Sequence, residues 1–237
     1  MDLNVLSAGA AKALVESLQP QFTSQTGVAI HATFRAVGAI KEKLLAGEPC
    51  DVVILTAAQL GELARSGRVQ SDSVAPLGCV ATAIAVRAGE PSPEIGDPEN
   101  LRRVLLAAAE LYVPDAERAT AGIHLLHVLD ALHIHDELAP RLRSYPNGVM
   151  AMHELARSVA KRAIGCAQVT EIRSVAGVKM LGPLPRAFAL ETVYSVAVNV
   201  KAQQPALAHR LAALLTGPGA SELRTRAGFE IRGSLGQ

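Results

Sequence analysis

Four short runs of small residues hold the groups that could do chemistry in this chain. They are Ser7-Ala8-Gly9-Ala10, Arg35-Ala36-Val37-Gly38, Thr120-Ala121-Gly122 and Asn147-Gly148. Each stands between an apolar run and a helix-like pattern. The first N–H groups of a helix have no partner inside it, and the helix dipole adds partial positive charge there. With no bulky side chain in the way, such a turn seats an anion. Ser7, Gly9 and Ala10 supply the first seat, Val37 and Gly38 the second, Thr120 and Ala121 the third, Asn147 and Gly148 the fourth. Arg35, beside the second turn, offers the planar fork that suits a carboxylate. Gln168 ends an apolar run and needs a hydrogen-bond partner, either a ligand or a backbone group.

Other chemistries are poorly supplied. His124 and His127 share a helix face at i, i+3, but no carboxylate or Cys joins them at ligand spacing, so no metal and no cofactor is expected. Asp51 and Asp115 lie near strand ends and read as turn and cap residues. Glu171, Asp115 and His124 sit near the turns without forming a defensible proton-transfer pair. There is no Walker loop and no dinucleotide fingerprint.

The elements that would position these turns follow from periodicity. Residues 3–6, 28–34 and 51–55 read as strands, each followed by an amphipathic helix, which is the pattern of a parallel sheet covered by helices. The pattern repeats in the middle of the chain, with strands at 111–113 and 163–169 and helices after the Thr120 and Gly148 turns. Residues 80–86 and 193–200 read as two long strands that pair and carry the chain between two lobes. Lobe one is then residues 1–80 plus 195–237, and lobe two is residues 81–194. Helices are expected at 100–110, 205–216 and 220–229, a short strand at 178–184, and a frayed tail from 232. The fold class is α/β, with two lobes built on open, mostly parallel sheets, helices on both faces, and a ligand cleft between the lobes.

Composition narrows the partners. A net charge of +1 gives no reason to expect nucleic acid. No run is apolar for long enough to span a membrane. Aromatics make up 3% of the chain and Trp is absent, so the core is aliphatic. Cys50, Cys79 and Cys166 are odd in number and widely spaced, which reads as buried thiols in a reducing compartment. With no basic-then-apolar leader at the start, the expected location is cytoplasmic, or periplasmic if a signal has been removed.

The ordered segments Val5-Leu6-Ser7-Ala8-Gly9-Ala10, Ala46-Gly47-Glu48-Pro49-Cys50-Asp51-Val52-Val53-Ile54, Pro114-Asp115, Thr120-Ala121-Gly122 and Ile164-Gly165-Cys166-Ala167-Gln168-Val169-Thr170-Glu171-Ile172 resemble a known family. It is the type II periplasmic solute-binding proteins, in particular the molybdate-binding branch, which includes aconitate-isomerase-like members. The resemblance covers nearly the whole chain. It implies two α/β lobes, two hinge strands and an oxyanion buried between the lobes. In the family a hydroxyl in each first-lobe turn and a second-lobe tyrosine bind that oxyanion. Those positions fall here at Ala10, Val37 and Gln168, so two hydroxyls and the tyrosine are missing. With Arg35 alongside, the expected ligand is a small organic carboxylate or related oxyanion. An isomerase moving a double bond in an unsaturated carboxylate such as aconitate is the alternative, and a molybdate or tungstate transport component is the second. A transporter partner is expected only if the protein is secreted.

Overall fold

The structure is a computed structural model, and it describes residues 2–231. The chain divides into two compact units, residues 1–80 with 192–237, and residues 81–191.

The first unit opens with β1 (Leu3–Ala8) and a one-turn 3-10 helix at Gly9–Ala11, then α1 (Lys12–Thr26). β2 (Ile30–Arg35) leads into α2 (Val37–Leu45), and β3 (Val52–Thr56) into α3 (Ala57–Arg65). β4 (Ala75–Arg87) starts in this unit and runs into the second. The second unit continues with α4 (Pro98–Leu106), β5 (Leu111–Pro114), α5 (Thr120–Ala131), α6 (His135–Leu138), β6 (Leu142–Tyr145), α7 (Gly148–Arg157), β7 (Ile164–Gln168), α8 (Val169–Arg173) and β8 (Val178–Pro183). β9 (Glu191–Val198) returns the chain to the first unit, which closes with α9 (Pro205–Thr216) and α10 (Ser221–Ala227).

In the first unit the strand order is β2-β1-β3-β9, with β4 beyond β9. β1 is parallel to β2 and β3, as strand-helix-strand connections require, and β9 runs antiparallel to β3. Leu14, Val15, Leu18 and Phe22 of α1 are all buried. Each such residue contributes about 1.5–3 kcal/mol by leaving water. Asp51, one residue before β3, is 1% exposed. Its Oδ2 accepts the Asn4 N–H at 2.9 Å, and its Oδ1 accepts the N–H groups of Gln203 at 2.7 Å and Gln204 at 3.0 Å. One carboxylate thus ties β1 and β3 to the start of α9, a structural part that fits its reading as a turn residue.

In the second unit β6-β5-β7 are parallel, and β4 runs antiparallel to β7 and β8. One core joins Ile84 and Val86 of β4 and Ile164 and Cys166 of β7 to α4 and α5 through Leu101, Val104, Leu125 and Leu129. The other face of β7 takes α7, because a Cβ on Gly165 would meet Met152 and Leu155 within 3 Å.

Boundaries move for identifiable reasons. The strand expected at 28–34 starts at Ile30, because α1 ends in the left-handed Gly27, at φ 72°. The strand expected at 80–86 begins at Ala75. Cys79 exchanges backbone hydrogen bonds with Glu230, which draws Pro76 and Gly78 into the extended segment. The helix expected at 100–110 starts earlier, at Pro98, because Asp97 caps it, and it stops at Leu106. The strand expected at 193–200 spans Glu191–Val198. The tail from Arg232, expected to fray, lies outside the described residues. Cys50 and Cys166 are buried, and burial pushes both thiols up to about 12. No helix among the described residues is long and apolar enough to cross a membrane.

Candidate functional site

Ala8 and Arg35, the last residues of β1 and β2, are partners in the parallel register. The turns that follow them therefore lie side by side at the carboxyl edge of the first unit's sheet. Ala8 enters the 3-10 turn and Ala36 enters α2, and neither has a side-chain cap. The N–H groups of Val37 and Gly38 open α2 beside them. The contrast is α3, where Thr56 Oγ1 accepts the Gln59 N–H. Ser7 is fully buried and donates its hydroxyl to Ala8 O at 2.9 Å, leaving its oxygen only as an acceptor. Gly9, Ala10 and Val37 are buried and Gly38 is partly so. Arg35 ends the edge strand and is exposed, with Nη1 donating to Phe34 O at 2.9 Å. No carboxylate pairs with it among the described residues.

In the second unit the carboxyl ends of the parallel strands β5, β6 and β7 again share one edge. α5 starts there with no capping side chain, its Thr120 half-buried and Ala121 buried. Gly122 is required at the next position, because a Cβ there would stand 2.4 Å from Pro114 O and 2.5 Å from Asp115 O. Asp115 Oδ1 accepts the N–H groups of Glu117 and Arg118, which shapes the loop into α5. His124 Nε2 lies 2.8 Å from Phe188 O.

α7 departs from expectation. Asn147 and Gly148 were expected to face a ligand, but Asn147 Oδ1 accepts the Met150 N–H at 2.9 Å and Gly148 donates its N–H to Glu171 Oε1 at 3.0 Å. Both are engaged within the protein. Glu171 Oε2 also accepts the Gln168 N–H at 3.3 Å. Burial pushes the Glu171 carboxyl up to about 7, against the pull of those two N–H groups. No cation pairs with it among the described residues.

Gln168 is 2% exposed; its side chain forms a capping box with Glu171 at the start of α8, and its Nε2 has no partner. Thr82 of β4 is directly opposite in the antiparallel register, so the two side chains share a sheet face. Its Oγ1 is also buried without a partner, as is Thr170 Oγ1 two residues beyond Gln168. The face that carries Thr82 and Gln168 is the one α5 covers, and α5 begins at this same edge. The structure thus gathers Thr82, Gln168, Thr170 and the start of α5 in the second unit. In the first it gathers Ser7, Gly9, Ala10, Arg35, Val37 and Gly38. Thr82 and Thr170 were not singled out by sequence reasoning. The signal for Thr82 is the register of two strands whose paired residues lie 86 positions apart, which no local pattern shows. Among the described residues no group of three or more His, Cys, Asp or Glu could hold a metal ion.

Comparison with known proteins gives four further findings. The family described as bacterial extracellular solute-binding protein matches residues 3–230. An aconitate isomerase from a Pseudomonas species is 28% identical over 234 residues, covering 96% of this chain and 87% of the relative. The molybdate-binding protein ModA of Escherichia coli is 24% identical over 232 residues, covering 97% and 89%. Among solved structures, the periplasmic molybdate-binding protein of Azotobacter vinelandii superposes with a TM-score of 0.79 at 20% identity, covering 98% of this chain and all of that one.

Proposed function

The chain belongs to the bacterial extracellular solute-binding protein family, and from that premise we propose that it binds a small anion, an organic carboxylate or a related oxyanion. One observation carries the reading. The helix and turn starts after β1, β2 and β5 stand at the carboxyl ends of parallel strands without side-chain caps, whereas α3, α4 and α7 are each capped by Thr56, Asp97 or Asn147. Uncapped N–H groups at such edges are where α/β proteins seat anions. The names of the two relatives, one for aconitate and one for molybdate, are consistent with an anion. Ala10 and Val37 offer no hydroxyl to a tetrahedral oxyanion, and Arg35 offers two parallel donors, so a carboxylate fits better. The family's description as extracellular supports the periplasmic alternative over the cytoplasmic expectation, and a transporter partner belongs with it.

A panel of carboxylates, sulfate and molybdate, followed by thermal shift, tests this. At a hundredfold excess over Kd a carboxylate should add about 2.7 kcal/mol of stability. Arg35→Ala should weaken carboxylate binding by about 1.5–3 kcal/mol, the worth of a charge-assisted contact. Stabilisation by molybdate or sulfate alone, with Arg35→Ala silent, would overturn the carboxylate reading.

A second reading, an isomerase of an unsaturated carboxylate, is favoured by the 28% identical relative and by Glu171, which at about 7 can hold or release a proton near neutrality. The same panel separates it: aconitate in D₂O would gain carbon-bound deuterium only if the protein moves a proton.

A further inference from the structure

Thr82 carries a hydroxyl with nothing inside the protein to bind. Its Oγ1 is buried without a partner, on a residue only 1% exposed. Native proteins leave few buried polar atoms unpaired. The fold of the second unit sets what this hydroxyl faces. Along β4, Thr82 alternates with Ile84 and Val86, and along β7, Gln168 alternates with Ile164 and Cys166. Those four side chains lie in the core that α4 and α5 cover, so Thr82 and Gln168, paired in register, point to the same side. Both stand at the carboxyl end of β7, which closes on Gln168.

The start of α5 is at that end too. Its first turn packs on the end of β5, the parallel neighbour of β7, where a Cβ on Gly122 would meet Pro114 O at 2.4 Å. No side chain caps α5, so its first N–H groups are open. The Gln168 amide is held by the capping box with Glu171, which leaves Nε2 as an unpartnered donor. One strand end thus gathers a hydroxyl, an amide N–H and open helix N–H groups. We infer that Thr82 binds the ligand, its hydroxyl donating to the anionic group that the start of α5 and Gln168 Nε2 also receive. The inference rests on the reading of the site as an anion seat and adds to it a residue of β4, a strand that enters no strand-turn-helix unit. Recognition in this unit is then by neutral donors and the helix dipole, which suits a single carboxylate or oxyanion group.

Calorimetric titration of Thr82→Val and Thr82→Ser with citrate, sulfate and molybdate tests this. Valine keeps the shape of threonine without the hydroxyl, and serine keeps the hydroxyl. Thr82→Val should bind whichever of these anions the parent binds roughly tenfold more weakly or worse, while Thr82→Ser stays within about threefold of the parent. Without ligand, Thr82→Val should melt no lower than the parent, because it removes an unpaired polar atom, whereas a hydroxyl spent inside the protein would cost stability when lost. Parent-like affinity in Thr82→Val, a lower melting point for it, or equal weakening in Thr82→Ser would overturn the inference and leave anion binding standing. Binding of none of the three anions by the parent would bring down the underlying reading, and this inference with it.

Discussion

Asp51→Ala should destabilise the protein by about 3 kcal/mol, read as a lower urea midpoint with unchanged slope. The carboxylate is almost fully buried and accepts three backbone N–H groups, from Asn4, Gln203 and Gln204. Removing it leaves three donors short of an acceptor, each costing about 1–3 kcal/mol when water cannot replace it, with partial relief at the less buried Gln203 and Gln204. Asp51→Asn should cost less, about 1–2 kcal/mol, because its oxygen can keep one set of contacts while its amide faces a donor. A loss below about 1 kcal/mol in the Ala variant would mean that Asp51 does not clamp the strands to α9.

Gly122→Ala should also cost about 2–3 kcal/mol, although helix propensity alone argues for a gain of about 1 kcal/mol. The decision lies in what the new Cβ meets. It would stand 2.4 Å from Pro114 O and 2.5 Å from Asp115 O, both backbone atoms that cannot swing aside like the end of a side chain. Relief requires α5 to move away from β5, and that motion displaces the N–H groups of Thr120 and Ala121. The variant should therefore lose ligand-induced stabilisation as well as stability. A Gly122→Ala protein as stable as its parent would show that the approach of α5 to the β5 end is looser than described.

The parts legible in the sequence were the local ones. Small residues between an apolar run and a helix pattern located the turns at Ser7, Val37 and Ala121, because such a turn is encoded within about six neighbours. The positions of α1, α5 and α9 followed from helix periodicity in the same way. What sequence could not show depended on distant partners. The Gly148 N–H reads as a free donor until Glu171, 23 residues later, is folded against it. Thr82 is an ordinary strand residue until the β4–β7 register sets it beside Gln168. Asp51 could be read as a turn residue, but its reach to Gln203 spans 152 positions. Each is a case of one polar group finding another across the fold, where hydrophobic patterning gives no guidance.

The central claim is that uncapped backbone N–H groups at strand ends bind an anion. Backbone amide NMR of the labelled protein, titrated with citrate and separately with tricarballylate, tests it most directly. The resonances of Val37 and Gly38 at the open start of α2, and those of Ala121 and Gly122 at the open start of α5, should each shift and saturate. That of Asn100, whose N–H is held by Asp97, should stay in place. Saturable shifts that spare all four open amides, or no shift with either ligand at millimolar concentration, would contradict it.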